Sequence, residues 1–456
     1  MSSNRMINTL LSMILALAVP AGCQNHFVIP SPVDSHRTAT QDTQDVVVGD
    51  TAALTAALKS AAPGDVILFQ DGEYTDLVLN FKASGKEGAP ITLKAQTPGG
   101  VVLKGASQLK LTGSYLVAEG FCFSKLNSDT KVSHITFSKG SSNCRVSGCK
   151  IDGTGSGYFT TDSKWVSIYG TKNEVSGCSF IDKRNMGCLM VVWMEEGIVP
   201  GHVIKDNIFS RPYTHYDDKG KARNGQEAIR IGTSTFSMSD GGCTVSGNHF
   251  RNVNGELAEI ISNKSCANVY EGNVFEGGEG SLTLRHGNRC IVRGNYFRSA
   301  GKSGVGGVRI IGEDHLVEKN VFLNLTGNGY KSAVCLVRGE MYAELNGYWT
   351  VKNAVVRENV FVDCAYGITV NYSGRDTQDS APENSSFVGN TIVNSAKKYV
   401  AVNVIDTPDP YMHWEDNVIY GGKQSGISLP TVSEKPEVKD YTPEIDAIIA
   451  NSGVKW

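Results

Sequence analysis

One short unit recurs along this chain and constrains its fold more than any other feature. The unit is an Asn followed two residues later by Phe or Ile, and it occurs at Asn207, Asn248, Asn273, Asn295, Asn320, Asn359, Asn390 and Asn417. Successive copies are 41, 25, 22, 25, 39, 31 and 27 residues apart. The shortest of these intervals are typical of one coil of a solenoid, and the longer ones indicate coils with inserted loops.

The residues around each Asn fit a turn between two short strands. Gly, Asp, Glu or Lys precedes the Asn, and two earlier copies carry Cys149 and Cys178 in its place. An Asn side chain can bond to the Asn of the next coil, while the Phe stacks inward. We predict an all-β fold, a right-handed parallel β-helix. A leucine-rich horseshoe and a propeller lack their sequence signatures here, and chance recurrence in a β-sandwich is the remaining alternative.

The two ends of such a solenoid need covering, because an open coil exposes unpaired backbone groups. Asp50 can cap a short helix over residues 51–61, which we predict to be the N-terminal cap. The repeat is lost after residue 428, so residues 429–456 are predicted to form a capping tail that ends in a short helix. The β-helix domain, which carries the predicted site, then spans residues 46–428.

The N-terminal segment predicts export. Residues 1–23 contain an early Arg5, an apolar run over 10–19 and a small-residue stretch that ends at Cys23. Ala21-Gly22-Cys23 resembles a bacterial lipoprotein box, in which the cysteine is lipidated; cleavage without lipidation is the alternative. The polar residues 24–45 predict a tether. We expect an exported protein in the periplasm or at the cell surface, anchored to the outer membrane through Cys23.

Net charge and cysteine spacing argue against several classes. The formal net charge is -3, so no global attraction to nucleic acid is expected and any binding of a polyanion must be local. The ten cysteines after Cys23 lack the clustered spacing of zinc or iron–sulfur sites. We expect most of them to be buried hydrophobic side chains, with few or no disulfides.

Charged residues interrupt apolar, strand-like runs at 224–232, 255–265 and 282–287. Lys264 and Arg285 lie 21 residues apart, which is about one coil, so we predict that they lie close together on one face. A charge inside a strand needs a reason, since burying an unpaired charge is costly. A solvated turn lysine and a surface ion pair are the alternatives for these two residues.

These runs resemble those of the polysaccharide lyases of family six, the alginate lyases and chondroitinase B. The similar segments are Glu-Ile-Ile-Ser-Asn-Lys-Ser at 259–265, Arg-His-Gly at 285–287, Asn-Gly-x-Glu-x-Ile-Arg-Ile-Gly at 224–232 and Gly-Gly-Val-Arg-Ile at 306–310. The resemblance covers roughly residues 45 to 425. It implies a lyase that cleaves a uronate-containing polysaccharide, with alginate as first choice, by β-elimination to unsaturated uronate ends.

The resemblance also implies catalytic roles. Lys264 would be the base that removes the C5 proton, and the nearby Arg285 would favour its neutral amine. Arg285 would protonate the departing glycosidic oxygen or stabilise its charge, since Arg holds its proton tightly. His286 would orient the substrate or a neighbouring side chain, and a hydrogen-bonded structural histidine is the alternative.

Substrate binding is assigned to Arg230, Arg309 and Glu227. The two arginines lie on coils either side of the predicted catalytic pair and could bind substrate carboxylates through paired hydrogen bonds. Ion pairing with Glu227 or Glu259 is the alternative for both arginines.

Family members commonly hold Ca²⁺ with an Asn and a Glu-x-Glu pair, which corresponds here to Asn224 and Glu259. The other carboxylate position holds Leu257. Strand alternation would place Glu256 on the opposite face unless a bulge returns it. Calcium prefers six to eight oxygens, so we expect an impaired site, weak or absent calcium dependence, and no firmly required cofactor.

Three other functions remain open: a dermatan or chondroitin sulfate lyase, a pectinase-like hydrolase and a non-enzymatic glycan-binding β-helix. A sulfate-reading enzyme would need more cations around its cleft. A hydrolase needs clustered aspartates, and the only adjacent pair, Asp217-Asp218, falls in a polar loop. A binding protein would use loop aromatics but not the Lys264 and Arg285 pair; the candidates are Tyr213, His215, Tyr216, Tyr330, Tyr342, Tyr348 and Trp349.

Overall fold

A computed structural model describes residues 46–127, 129–406 and 412–456. The predicted export signal, the lipoprotein box with Cys23 and the tether all fall in residues 1–45, outside the described residues. Neither α-helix of the described ranges is long and apolar enough to cross a membrane.

The described residues form a right-handed parallel β-helix, so the predicted fold is confirmed. Each coil contributes one strand to each of three parallel sheets, in the order first, second, third. Parallel strands joined by such crossovers are almost always right-handed, because of the twist of the strands. All three sheets contribute buried side chains to one continuous hydrophobic core.

The first sheet consists of Val46–Val48, Val66–Phe69, Ile91–Ala95, Leu116–Glu119, Arg145–Ser147, Glu174–Ser176, Val203–Lys205, Thr244–Ser246, Val269–Glu271, Ile291–Arg293, Leu316–Glu318, Val355–Arg357, Ser386–Val388 and His413–Glu415. The second consists of Gly72–Thr75, Val101–Gly105, Cys122–Leu126, Lys150–Asp152, Ser179–Ile181, Ile208–Arg211, His249–Val253, Val274–Glu276, Tyr296–Arg298, Val321–Leu323, Val360–Val362, Thr391–Val393 and Val418–Tyr420. The third consists of Val78–Ser84, Gln108–Ser114, Ile135–Phe137, Val166–Ile168, Met190–Val192, Ile229–Gly232, Glu259–Lys264, Gly280–His286, Val305–Ile310, Val334–Val337, Tyr366–Tyr372, Val400–Val404 and Lys423–Ser425.

The repeated asparagines form a hydrogen-bonded ladder at the turn between the first and second sheets. Asn295, for example, donates from Nδ2 to Oδ1 of Asn320 at 2.9 Å, and its own Oδ1 accepts from the backbone N–H of Asn273 at 3.0 Å. The residue before each asparagine has a φ between 53° and 63°, which is why Gly and polar residues precede it. The ladder satisfies turn groups that the core would otherwise bury without partners.

The phenylalanines of the same unit stack inside the second sheet. Consecutive ring centroids lie 4.5 to 5.2 Å apart. The column consists of Phe180, Phe209, Phe250, Phe275, Phe297, Phe322 and Phe361. Stacking at the coil spacing fixes the register between coils, since a shift would move every ring out of contact.

The N-terminal end is covered by the helix Thr51–Ser60, as predicted. Asp50 caps it by accepting from the backbone N–H of Ala53 at 2.8 Å, and Leu54 is buried against the first coils. Two short 3-10 helices, Ser234–Phe236 and Gly329–Lys331, lie in inserts after and before strands of the third sheet.

The predicted capping tail has two parts. Leu429 packs against the core near the last coil. The helix Thr442–Asn451 and the residues after it run along the side of the solenoid instead. There Val454 donates its backbone N–H to Ser179 Oγ at 3.0 Å and Trp456 donates Nε1–H to the Gly148 carbonyl at 3.2 Å. The terminus therefore contacts middle coils, because the buried turns offer acceptors there.

All ten cysteines of the described ranges are free thiols, as expected from their spacing. Nine of them are buried, and Cys149 and Cys178 occupy the asparagine position of their coils. The Cys178 Sγ accepts from the Cys149 backbone N–H at 3.4 Å, so the thiol continues the ladder more weakly than an amide would.

The ladder predicts a stability cost for any single break. Asn295→Ala leaves the buried backbone N–H of Asn273 without its acceptor, which costs about 1–3 kcal/mol, and removes one of the two donors to Asn320 Oδ1. We expect a clear fall in unfolding free energy by denaturant titration. Asn80→Ala, on an exposed position of the third sheet, is the matched control and should change stability by less than about 0.5 kcal/mol. Equal effects would contradict a structural role for the ladder.

Candidate active site

The third sheet carries the charged residues of the predicted site. Arg230 pairs in register with Ser262 on the next strand. Ser262 pairs with Thr283, which in turn pairs with Arg309. Because neighbouring strands are about 4.8 Å apart, this row places Arg230 and Arg309 about 14 Å from each other along the solenoid.

A cleft of about 550 Å³ opens over the later strands of this sheet. Its lining combines carboxylates, guanidinium groups and aromatic rings, among them Glu256, Glu259, Arg285, Arg309, Tyr348 and Arg375. Lys264 and Arg230 are not part of that lining; they lie on the strands that precede Arg285. The cleft is therefore charged with both signs, which suits an anionic and hydroxyl-rich ligand.

Lys264 ends the strand Glu259–Lys264 and is half-buried. A register shift after Asn263 pairs it with His286 rather than with Arg285. Lys264 and Arg285 consequently lie on neighbouring strands, one position out of register. Among the described residues the Lys264 ammonium has no hydrogen bond or ion pair, so no protein carboxylate competes with a ligand for it.

The guanidinium of Arg285 is held by neutral acceptors. Nη1 donates to the Gly347 carbonyl at 2.8 Å and Nη2 donates to the Asn346 carbonyl at 3.0 Å. Its Cζ lies 4.1 Å from the centroid of the Tyr348 ring. Burial lowers the pKa of Arg285, and no carboxylate in the described part of the chain forms an ion pair with it. Its positive charge therefore stays available to an anion.

His286 sits between the two cations and is only 2% exposed. Its Nδ1 lies 3.3 Å from Nη1 of Arg285, and its Nε2 lies 3.3 Å from the Ser234 hydroxyl. A guanidinium only donates, so Nδ1 is the acceptor and Nε2 carries the hydrogen. Burial, with the charges of Arg285 and Lys264, lowers the pKa of His286 to about 3. This neutral, buried imidazole is placed to orient Arg285 rather than to contact a substrate.

Three buried glutamates face one another beside the cleft. Carboxylate oxygens of Glu227, Glu256 and Glu259 lie within 4.8 Å of one another. Glu227 accepts from the Cys188 thiol at 3.1 Å, and Glu259 forms an ion pair with Arg309. Desolvation, followed by the two neighbouring carboxylates, raises the pKa of Glu256 well above its usual value. We call these three residues the carboxylate cluster.

Glu256 does not face away from the site, because the exception to strand alternation, a local bulge, is present. The strand begins only at Glu259, so strict alternation does not apply to Glu256. Leu257 has a φ of 58°, which turns the chain and returns the preceding side chain to the cleft. The Glu256 Oε2 accepts from the backbone N–H groups of Gly225 at 2.8 Å and Gln226 at 3.2 Å. Local backbone geometry thus supplies the bulge that alternation could not predict.

The carboxylate cluster provides the kind of ligands that a calcium ion uses. Ca²⁺ takes hard oxygen donors, preferably several carboxylates, and the side chain of Asn224 lines the same cleft. Desolvation and the two neighbouring carboxylates disfavour the charged form of Glu256, and a bound cation would favour it. The residues present therefore fit a divalent cation, and Leu257 does not impair the donor set.

The three other residues that were predicted to bind substrate lie in different environments. Arg309 forms the ion pair with Glu259 that was the alternative to substrate binding, and both side chains are buried. Glu227 is 1% exposed and belongs to the carboxylate cluster. Arg230 stacks on Trp193, with its Cζ 5.5 Å from the ring centroid, away from the cleft lining. Of the three, only Arg309 lines the cleft.

Sequence reasoning missed Arg375, which lies in the insert after the strand Tyr366–Tyr372. Its Cζ lies 4.8 Å from the centroid of Tyr348. The side-chain oxygen of Gln378 holds this insert by accepting from the backbone N–H groups of Gly374 at 2.7 Å and Arg375 at 3.0 Å. The insert lies outside the repeat, so no spacing in the sequence could place it over the cleft.

A parallel β-helix with a cleft of arginines, aromatic rings and carboxylates on one sheet defines a class suited to extended, acidic carbohydrate ligands. The family model for chondroitinase B matches residues 48–433. The chain belongs to the chondroitinase B family.

Solved structures give the same fold. The alginate lyase AlyGC of polysaccharide lyase family 6 is 32% identical over 90% of this chain, with a TM-score of 0.76, and this chain covers 56% of its length. A mannuronic acid-specific family 6 lyase from human gut microbiota is 26% identical over 90% of this chain and 96% of its own, with a TM-score of 0.76. A family 6 lyase from Pseudopedobacter saltans is 26% identical, with coverage of 91% and 100% and a TM-score of 0.71. No curated protein matches the chain.

Because of the carboxylate cluster, we expect Glu256→Gln to change the stability of the protein in a way that depends on pH. Because desolvation and the neighbouring carboxylates raise the folded-state pKa of Glu256, stability falls as the pH rises above the usual range of a carboxyl group, where Glu256 must ionise. In chelator at about pH 8, the variant should therefore be more stable than the wild type, and the difference should shrink towards about pH 5.

The same variant should respond less to calcium. An ion at about 100 times its Kd stabilises the wild type by about 2.7 kcal/mol, and Glu256→Gln should lose most of that gain in a thermal shift assay. A variant that is less stable in chelator, or that keeps the full calcium response, would contradict the cluster as a cation site.

Proposed function

We propose that this protein is a polysaccharide lyase that cleaves a uronate-containing polysaccharide by β-elimination. The observation that supports this most strongly is the pair of cations, Lys264 and Arg285, on neighbouring strands without a carboxylate partner in the described ranges. Structural ion pairs neutralise such charges, whereas these two remain available on the face that carries the cleft.

Lys264 is the proposed base. Its neutral amine takes the C5 proton of the uronate next to the bond to be broken, and the C–H electrons move to form the C4–C5 double bond. That transfer requires an unprotonated amine.

Arg285 is the proposed group at the leaving oxygen. As the C4–O bond breaks, its electron pair stays on the glycosidic oxygen, which becomes a hydroxyl by taking a proton from Arg285 or from water. The ammonium of Lys264 then gives its proton back to solvent. The guanidinium stabilises that developing charge through hydrogen bonds, and its two carbonyl partners fix the direction in which its remaining N–H groups point.

The carboxylate of the reacting uronate must be neutralised before C5 becomes acidic. Glu227, Glu256 and Glu259, with Asn224, would hold a divalent cation, which when bound supplies positive charge against that carboxylate. The expectation of weak calcium dependence assumed that Glu256 faces away from the site, whereas its carboxylate lies beside those of Glu227 and Glu259, which supports a cation site. Arg309 lies beside the cluster and offers a second positive charge to the substrate.

Alginate is the proposed substrate. Two relatives that are at least 26% identical to the chain are described as an alginate lyase and as a mannuronic acid-specific lyase. Dermatan or chondroitin sulfate is the second choice, because the matching family model is that of chondroitinase B. Asp217, the candidate for a hydrolase, accepts from the backbone N–H groups of Lys219 and Lys221 and so serves as a turn residue.

The test is ultraviolet absorbance of the conjugated double bond, measured with purified protein on alginate, dermatan sulfate, chondroitin sulfate and pectate. We expect absorbance to rise on alginate. Lys264→Ala should lower kcat by about 10²- to 10⁴-fold, the usual contribution of a general base. The matched control is Lys82→Ala, an exposed lysine of the same sheet, which should retain wild-type turnover.

A rise on a sulfated polymer alone would move the substrate to that class and leave the lyase chemistry in place. New reducing ends without the double bond would point to hydrolysis and overturn the proposal. Full activity of Lys264→Ala would remove Lys264 from the mechanism.

We also propose that the protein acts outside the cytoplasm, in the periplasm or at the cell surface, held to the outer membrane by a lipid on Cys23. The support is the sequence pattern of residues 1–23. Cys23→Ser should move the protein from the membrane fraction to the soluble fraction of cells that produce it. Retention of this variant in the membrane fraction would contradict the lipid anchor.

A further inference from the structure

The insert between the strands Val334–Val337 and Val355–Arg357 folds back over the cleft. Glu340 and Tyr348 close it: the Glu340 backbone N–H donates to the Tyr348 carbonyl at 2.7 Å, and the Tyr348 N–H donates to Glu340 Oε2 at 3.1 Å. The Ser237 hydroxyl, from a coil more than 100 residues earlier, donates to the Leu345 carbonyl at 2.8 Å. The insert is therefore closed on itself at its base and bonded to an earlier coil at Leu345.

This fixed insert supplies most of what holds Arg285 in place. The carbonyls of Asn346 and Gly347 accept from its two terminal nitrogens. The ring of Tyr348 lies 4.1 Å from its Cζ, close enough for a cation–π contact. Within residues 46–127, 129–406 and 412–456, His286 on the same strand is the one further hydrogen-bond partner of the guanidinium. The strand alone thus fixes the backbone of Arg285, while the insert fixes the charged group.

Tyr348 also contacts a second guanidinium, that of Arg375, at 4.8 Å. Two like charges near each other repel, and the electron-rich face of an aromatic ring offsets part of that repulsion. With the ring removed, Arg285 would lose its stacking partner and would move away from the charge of Arg375. The two carbonyl bonds would still orient the terminal nitrogens, but no aromatic face would then hold the plane of the guanidinium beside the charge of Arg375.

We propose that Tyr348 is a positioning residue, which acts on the reaction through Arg285 by holding its guanidinium where the leaving oxygen departs. This inference rests on the proposed lyase function. The insert, which lies outside the sequence repeat, then affects turnover through its hold on Arg285. Misplacement of a reacting group by about 1 Å can cost about 10²-fold in rate, so the effect should be in kcat.

The experiment compares Tyr348→Leu with Tyr348→Phe. Loss of the ring in Tyr348→Leu should lower kcat by about 10- to 100-fold, with a much smaller change in KM. Tyr348→Phe keeps the ring and should restore kcat to near the wild-type value, because no hydrogen bond of the hydroxyl is involved in holding Arg285. Tyr342→Leu, in the same insert, is the matched control: this ring is 90% exposed and its loss should change neither constant.

Two kinetic outcomes would overturn the proposal. A rise in KM with unchanged kcat in Tyr348→Leu would mean that the ring binds sugar rather than positions Arg285. Equal losses in Tyr348→Phe and Tyr348→Leu would mean that the hydroxyl, and not the ring, matters.

A second readout does not depend on lyase activity. Phenylglyoxal labelling of Arg285, followed by peptide mass spectrometry, should be slow in the wild type and in Tyr348→Phe, and several-fold faster in Tyr348→Leu. Equal labelling rates in all three proteins would overturn the positioning role, even if the wild type proves active. If no polymer is cleaved, the lyase proposal fails, while faster labelling would still show that Tyr348 holds the arginine.

Discussion

Parallel pairing between successive coils is the interaction on which the rest of this molecule depends. Each coil turns between the first and second sheets through a left-handed residue, and the buried turn groups then need partners. The asparagine ladder supplies them at nearly every coil from Asn207 to Asn417. Because each amide bonds to the coils above and below, the coils are locked at one spacing and one register. A phenylalanine column beside the ladder excludes water from it.

That fixed spacing turns the outer face of the third sheet into a set of regular positions. The coil repeat alone places four residues in one row across this sheet: Arg230, Ser262, Thr283 and Arg309. Departures from regularity produce the rest of the site. A register shift beside Lys264 sets it against His286, and the left-handed Leu257 returns Glu256 to the cleft. A rigid scaffold tolerates such local irregularities of the backbone, because the neighbouring coils hold the strained segment in place.

Charge in the cleft is arranged in two parts. On one side the carboxylate cluster holds three acids with Arg309 as a close counter-ion. On the other side, Arg285 and Arg375 both contact the ring of Tyr348, and Arg285 also donates to two backbone carbonyls. No carboxylate among the described residues forms an ion pair with either arginine, so their charges are not cancelled. This separation is unfavourable to the folded protein by itself. A cation on the acids and an anionic sugar against the arginines would relieve both halves at once.

The sequence by itself determined the solenoid, its N-terminal cap and the proximity of Lys264 and Arg285, because each follows from a repeat or a local capping pattern read at coil spacing. Only the tertiary structure decided the position of Glu256, the burial of His286, the Arg309–Glu259 ion pair and the place of Tyr348 and Arg375 over the cleft. A period predicts which residues share a face as long as the backbone is regular. It cannot predict a left-handed residue before a strand, nor where an insert folds once it leaves the repeat, since those depend on contacts between coils far apart in sequence.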